Sequence, residues 1–113
     1  MVNLTQLFAV ILAGLAVAIA DALIKKTSAT GSFWLAFKNP LMIAIFLLYF
    51  VQVIFFVLVF MHGWKLSIVG NMQMVVYSVT VVLIGLLFFG EKLSLVQGVG
   101  ILLGLIGIIL MNL

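Results

Sequence analysis

The chain has 113 residues, of which 68% are hydrophobic and only 6% are charged, and its net charge is +3. Soluble domains carry about a quarter charged residues, and a small fold cannot hide this much apolar surface from water. The composition therefore excludes a soluble globular domain and predicts a chain surrounded by lipid. Five lysines are too few for a nucleic-acid surface, and the absence of cysteine excludes disulfides and thiolate metal sites.

Four apolar segments, each close to the ~20 residues that cross a bilayer, predict four transmembrane helices. They cover residues 4–24, 41–61, 66–89 and 95–113. Continuous runs of Leu, Ile, Val and Phe favour helices over a β-barrel, whose strands alternate apolar and polar residues. We therefore predict an all-α fold, in which residues 1–113 form one integral membrane domain, a bundle of four helices.

The first predicted helix contains the only acidic residue inside a predicted span, Asp21. An ionisable group in hydrocarbon is costly, so Asp21 is a candidate site of proton or cation coupling. The alternative is a structural ion pair at the helix end with Lys25, which lies four residues further along. Residues 18–20 also mimic a signal-peptidase site, but residues 1–4 carry no basic side chain, so we expect no cleavage.

The second predicted helix begins at Asn39-Pro40, where an N-cap residue precedes a proline at the first helical position. The segment before it, residues 25–39, is the longest predicted loop. Within the helix, Tyr49 and Gln52 are three residues apart and share one face. Their side chains either face a solute cavity or make interhelical contacts.

The third predicted helix carries most of the polar side chains in the predicted spans. One face holds Gly70, Gln73, Tyr77 and Thr80, and Asn71 and Ser78 flank it. Amides and hydroxyls in hydrocarbon need hydrogen-bonding partners. We predict that this polar face lines a translocation cavity together with Tyr49 and Gln52, and the alternative is that it only forms interhelical hydrogen bonds.

The fourth predicted helix differs from the third in its small residues. Gly90 is expected to end the third helix, and Ser94 with Gln97 fits a capping box that begins the fourth. Three glycines then recur on the fourth helix at spacings that permit close helix approach, and they are Gly100, Gly104 and Gly107. We predict a homodimer interface on this face, although packing within one bundle would use the same glycines.

The lysines predict an orientation. Lys25, Lys26 and Lys38 lie in the first loop and Lys92 in the third, whereas the second loop has only Lys65. The positive-inside rule then places loops one and three in the cytoplasm and both chain ends outside, in a multi-pass protein of the cytoplasmic membrane. This bias favours a parallel homodimer, or pairing with a second membrane subunit of opposite orientation.

A resemblance to a known family lies mainly in the last quarter of the chain. The segment Phe88-Phe89-Gly90-Glu91-Lys92-Leu93-Ser94-Leu95 is followed by Gly100, Gly107 and Asn112. This order resembles the small multidrug resistance family of the drug/metabolite transporter superfamily, and Leu23-Ile24-Lys25 is similar to the family's helix-one L-M-K. The resemblance implies a four-helix, EamA-like transporter that moves a small organic solute as a dimer.

The chain departs from that family in helix one. Alignment on Leu23-Ile24-Lys25 places Val17 where the multidrug members carry the Glu for which substrate and protons compete. We therefore expect transport without that coupling residue. The family's Tyr and Trp on helix three are also not matched residue for residue, so the chain looks more like the branch that resembles lipid-linked-sugar flippase subunits, or like half of a ten-helix metabolite exporter.

Other functional classes remain as alternatives. A flippase subunit for a lipid-linked sugar is the second hypothesis, and a non-transporting membrane scaffold is the third. The sequence contains no nucleophile–base pair, phosphate loop or metal cluster, so we predict neither enzymatic activity nor a cofactor or metal. The predicted partners are membrane lipid, a small-molecule substrate and a second copy of the chain, and not nucleic acid.

Overall fold

The computed structural model describes residues 4–111, and within that range the chain is helical and without strands. The helices are α1 (Leu4–Ser28), α2 (Phe33–Lys38), α3 (Leu41–Met61), α4 (Leu66–Phe88) and α5 (Leu95–Met111). In the described part, α1, α3 and α4 are long and apolar enough to cross a membrane. The all-helical, membrane-embedded character predicted from composition is therefore confirmed.

The apolar helix α5 has 17 residues in the described range, fewer than α1, α3 or α4. Its predicted continuation to residue 113, Asn112 of the family resemblance and both chain ends lie outside the described residues. The predicted capping box at its start is confirmed, because Ser94 Oγ accepts the Gln97 N–H at 3.1 Å and Gln97 Oε1 accepts the Ser94 N–H at 2.9 Å. α5 has a sharp beginning for this reason.

The ends of α3 and α4 also follow their local chemistry. Asn39 Oδ1 accepts the N–H of Leu41 at 2.9 Å, which satisfies a free donor at the start of α3. In the α4–α5 turn, Gly90 has φ +64°, a left-handed conformation that favours glycine. The next N–H, that of Glu91, returns to the carbonyl of Gly85 at 2.9 Å and closes the end of α4.

The first loop differs from the prediction. α1 continues past Ile24 to Ser28, and in its last turn the hydroxyls of Thr27 and Ser28 both donate to the Ile24 carbonyl at 2.9 and 2.7 Å. Lysines in the last turn also favour a helix C-terminus. The remaining segment then folds into α2, a helix of six residues that the sequence analysis did not predict.

Helix α1 lies in the middle of the fold and packs against α3 on one side and α4 on the other. Its buried residues are mostly small, with five alanines and Gly14 among them. At Gly14 an added Cβ would lie 2.8 Å from Val76 Cγ1 and 3.2 Å from the Gln73 carbonyl oxygen. Small residues therefore let α4 approach the backbone of α1 closely.

The fold is flat, with dimensions of 46 × 36 × 18 Å. The packing order is α3, α1, α4, α5, and a cluster around Val10, Val59 and Val69 joins the first three of these helices near the α3–α4 turn. None of the described α5 side chains is buried. The described helices thus form an open layer with α5 at its edge, and the four-helix bundle that we predicted is not confirmed.

Candidate functional site

Both tyrosines of the chain donate their hydroxyls to one carboxylate, that of Asp21. Tyr49 of α3 binds Oδ1, and Tyr77 of α4 binds Oδ2 at 2.5 Å. Three helices of membrane-spanning length therefore meet at a single acid. Such a group needs donors because water is scarce in hydrocarbon, and the two hydroxyls supply them.

An ion pair lies one helical turn beyond Asp21. Lys25 Nζ binds Glu91 Oε2 in the α4–α5 turn and sits 5.0 Å from the centroid of the Phe89 ring. Both charged side chains are about half exposed, at 55% and 49%. The observed partner of Lys25 is therefore Glu91, whereas the sequence analysis considered a pair between Lys25 and Asp21.

The position of Glu91 depends on the absence of a side chain at Gly85. A Cβ on Gly85 would overlap the Glu91 carboxylate, so this carboxylate rests directly on the α4 backbone. The Lys25–Glu91 pair ties the end of α1 to the α4–α5 turn. It also places the first and third loops at the same end of the helices, which the predicted topology requires.

A cleft of about 190 Å³ connects these groups. It is lined by Asp21, Ala22, Lys25, Tyr77, Val81, Ile84, Gly85, Phe89 and Glu91. A carboxylate has about four lone-pair sites and the two tyrosines use two of them, so Asp21 can still accept a proton or a cation. The cleft lies between that acid and the charged pair of Lys25 and Glu91.

A second, larger space separates α4 from α5. This groove of about 1,020 Å³ contains two of the polar residues predicted to line a cavity, Asn71 and Ser78. The glycines predicted to form a dimer interface, Gly100, Gly104 and Gly107, line its other wall. The polar face predicted on the third helix is thus divided, with Tyr77 turned to α1 and Asn71 and Ser78 turned to α5.

The other predicted cavity residues line neither the Asp21 cleft nor the α4–α5 groove. Thr80 donates its hydroxyl to the Val76 carbonyl of its own helix at 2.7 Å. Gln73 lies at the close crossing with α1, and Gln52 is half-buried on α3. The amide of Asn71 likewise returns to its own helix, at the Ser67 carbonyl.

Sequence reasoning missed the role of Glu91, and it did not join the tyrosines to Asp21. The sequence did contain a signal for the contact of the tyrosines with Asp21. The chain has two tyrosines, both lie in predicted spans, and Asp21 is the only acid in those spans. Polar groups so scarce in hydrocarbon are expected to pair with one another. No comparable signal in the sequence links Glu91 to Lys25, 66 residues earlier.

The fold and this site define a helical membrane protein whose half-buried carboxylate is bound by side chains from two neighbouring helices. Comparison with known proteins finds no matching family model, no similar curated protein and no similar solved structure. The family resemblance drawn from the last quarter of the chain therefore stays a prediction.

Proposed function

We propose that the chain is a small transporter of the drug/metabolite transporter type, which moves a small organic solute across the cytoplasmic membrane as a dimer. The observation that supports this proposal best is the contact of Tyr49 and Tyr77 with Asp21 beside a cleft that reaches the charged loops. An ionisable group held between membrane helices is a candidate functional site by default, because burying it is costly. In this proposal Asp21 is the ion-coupling group, in place of the Glu that Val17 replaces.

The dimer is part of the proposal because one open layer of helices does not enclose a solute path. Transporters built from two repeats place their substrate site between the repeats. The exposed α5 and its glycine-lined groove offer a surface for a second copy. Two layers facing each other would enclose the space that one layer leaves open.

Flux in reconstituted liposomes tests the proposal. The purified chain is assayed with labelled organic cations, organic anions, sugars and amino acids, with and without a pH gradient. We expect at least one class to be transported, and Tyr77→Phe to lower the flux roughly tenfold, since hydrogen bonds to charged groups contribute about 1.5–3 kcal/mol. Thr80→Val is the matched control, because the Thr80 hydroxyl binds its own helix and lines neither space.

Two results would count against this function. The first is an absence of flux for every solute class with a correctly inserted native protein, which would favour a scaffold. The second is a gradient-driven flux that Asp21→Asn leaves unchanged, which would remove Asp21 from the coupling site while leaving transport itself in place.

The α4–α5 groove favours one second candidate, a flippase subunit for a lipid-linked sugar. Its walls are mainly apolar, but Asn71, Ser78 and Gln97 add amide and hydroxyl groups along its length. Such a lining suits an amphiphile better than a small ion. A scrambling assay with a fluorescent polyprenyl-linked sugar separates the two functions, because Ser78→Leu would block a lipid path in the groove and leave the Asp21 cleft intact.

A further inference from the structure

The short helix α2 has an unusual surface for a connection between two membrane helices. We call the side chains of Phe33, Trp34, Leu35, Phe37 and Lys38 the α2 surface. All five are exposed, Trp34 to 71%, and the one buried residue of the helix is Ala36. Exposing four large apolar side chains to water costs about 25 cal/mol per Å², so an apolar or interfacial environment is expected to cover them.

The location of α2 suits the boundary between hydrocarbon and headgroups. It joins the end of α1 to the start of α3, and it packs on both. Because helical residues advance by 100°, Trp34 and Lys38 lie one turn apart on the side opposite Ala36, and so face away from the protein. An amphipathic aromatic ring beside a lysine is the combination found at membrane interfaces.

Behind α2 lies a cleft of about 480 Å³. Its walls are apolar, and they come from Ile24, Phe33, Phe37, Met42, Ile45 and Phe46 among others. Ser28 and Ser32 add hydroxyls where the cleft meets the loop. The cleft extends over about one turn of α1 and of α3, or ~6 Å, which suits the first methylenes of an acyl chain rather than a whole chain.

The charges at this end of the helices are mainly positive. Lys26, Lys38 and Lys92 have no ion-pair partner among residues 4–111, while Lys25 is paired with Glu91. The opposite end carries Lys65 alone. Each lysine near an anionic lipid surface contributes about 1 kcal/mol of attraction, so this end is complementary to negatively charged headgroups.

We propose that the α2 surface and the cleft behind it bind a phospholipid with an anionic headgroup. The acyl chain enters the cleft between α2 and α3, Trp34 lies at the level of the headgroup, and Lys38 contacts the phosphate. A second copy of the chain is a poor occupant, because a symmetric contact through α2 would bring like-charged lysines together. The proposal is independent of the transport function.

The two tryptophans supply the experiment, because Trp34 and Trp64 lie at opposite ends of the helices. Trp64→Phe leaves Trp34 as the sole reporter, and Trp34→Phe leaves Trp64 as the control. The full chain is reconstituted in phosphatidylcholine with a minor fraction of phosphatidylglycerol, and either lipid is supplied with bromine on the upper acyl chain. The ratio of quenching by the two brominated lipids measures local lipid preference, whatever the burial of each ring.

We expect brominated phosphatidylglycerol to quench Trp34 preferentially, with no such preference at Trp64. Lys38→Gln should lower the preference at Trp34 by roughly fivefold, the factor that ~1 kcal/mol per lysine implies. Lys65→Gln is the matched control and should change nothing at Trp34. High salt should also reduce the preference, since it screens exposed charges.

Three results would overturn the proposal. Equal quenching of Trp34 by the two lipids would mean that no anionic lipid is selected. An unchanged preference in Lys38→Gln would mean that Lys38 takes no part in any selection. Protection of Trp34 from both lipids would mean that protein covers α2, as in a contact between copies, and the circular dichroism of each variant shows whether it has folded.

Discussion

At the level of single residues, the described chain satisfies its membrane polar groups in two ways. Thr80 and Asn71 bind carbonyls of their own helix, and such bonds do not join helices. Asp21 instead accepts hydroxyls from Tyr49 and Tyr77, and these bonds join α1 to both of its neighbours. The bonds between helices are therefore the ones through which the positions of α3 and α4 can affect the Asp21 carboxylate.

This difference predicts how single substitutions affect stability. Tyr49→Phe and Tyr77→Phe should each lower the free energy of unfolding by ~1 kcal/mol, because interhelical hydrogen bonds in membranes contribute about 0.6–1.7 kcal/mol. The two effects should not add, since both hydroxyls bind one carboxylate. Unfolding in mixed detergent and dodecyl sulfate, followed by helical circular dichroism, measures them.

Thr80→Val is the control for this measurement, because it removes a hydroxyl that binds within α4. We expect its effect to be clearly smaller than that of either tyrosine variant. Equal effects for all three, or strictly additive effects for the tyrosines, would contradict a shared carboxylate.

The predictions for single residues concerned which side chains share a helix face and which partners they bind. The spacing of Gln73, Tyr77 and Thr80 predicts a common face, but a hydroxyl on that face binds either its own helix or a neighbour. That choice depends on how close the neighbour lies, and the approach of α1 at Gly14 determines it. The sequence therefore identified Asp21 and Tyr77 as separate candidates, and their contact was not predicted although their scarcity in the spans favours it.

At the level of elements, α4 approaches the backbone of α1 closely where it crosses Gly14. Gly14→Ala would bring a methyl group against Val76 and the Gln73 carbonyl, and overpacking typically costs about 1–3 kcal/mol. We therefore expect a loss of stability despite the better helix propensity of alanine. The same unfolding measurement tests this expectation.

Gly70→Ala is the matched control, because a Cβ at Gly70 meets no atom within 4 Å. It should be neutral or stabilising by about 0.5–1 kcal/mol. If Gly14→Ala proved as well tolerated as Gly70→Ala, the helices would be less closely packed than the structure shows.

The junction of α1 with the α4–α5 turn makes a separate prediction about Gly85. In the native chain, Gly85→Ala gains helix propensity but displaces the Glu91 carboxylate that pairs with Lys25. In a Glu91→Ala background the displacement is absent, so Gly85→Ala should be more favourable there by about 0.5–1 kcal/mol. Thermal unfolding of the four chains of this cycle gives the coupling energy.

Gly70→Ala, measured in the same two backgrounds, should show no such coupling, since Gly70 is not among the residues around Glu91. A coupling energy near zero for Gly85 would mean that the Lys25–Glu91 pair does not hold the turn in place. Lys25→Gln should reduce the coupling less than Glu91→Ala does, because it removes the ion pair but leaves the Glu91 carboxylate against Gly85.

The accuracy of the predicted elements depended on their end signals. Asn39, Gly90 and the Ser94–Gln97 box each place a helix end within a residue of the prediction, because each forms a specific hydrogen bond or backbone conformation. Within residues 25–39 a comparable signal was present but was not used, because Ser32 caps the start of α2 by accepting the Leu35 N–H at 3.4 Å.

At the scale of the whole molecule, the described part of the chain is a layer of helices with α5 exposed at one edge. Periodicity predicts which helices cross the membrane, but it does not say whether four helices close into a bundle or spread into a layer. Here the small residues that permit close packing are concentrated on α1, which therefore takes the central position. The glycines of α5 line an open groove instead, and space for a partner remains beside them.

The last prediction concerns the second copy of the chain that would pack against α5. The chain has no cysteine, so single-cysteine variants report contacts between copies cleanly. A disulfide needs Cα atoms about 4.4–6.8 Å apart, which helices reach only where small residues meet. We expect Gly104→Cys to form a crosslinked dimer on oxidation in native membranes, and Leu47→Cys, exposed on α3 at the far edge, to form none.

Gly100→Cys and Gly107→Cys distinguish the two possible orientations of this dimer. In a parallel dimer each position meets its own copy, so each variant crosslinks with itself. In an antiparallel dimer residue 100 lies opposite residue 107, and only a mixture of the two variants crosslinks efficiently. The concentration of lysines at one end of the helices favours a single insertion direction. We therefore expect self-crosslinking at both positions. Crosslinks confined to the mixed sample would mean that the dimer is antiparallel. No crosslink at any of the three glycines would mean that α5 faces lipid alone.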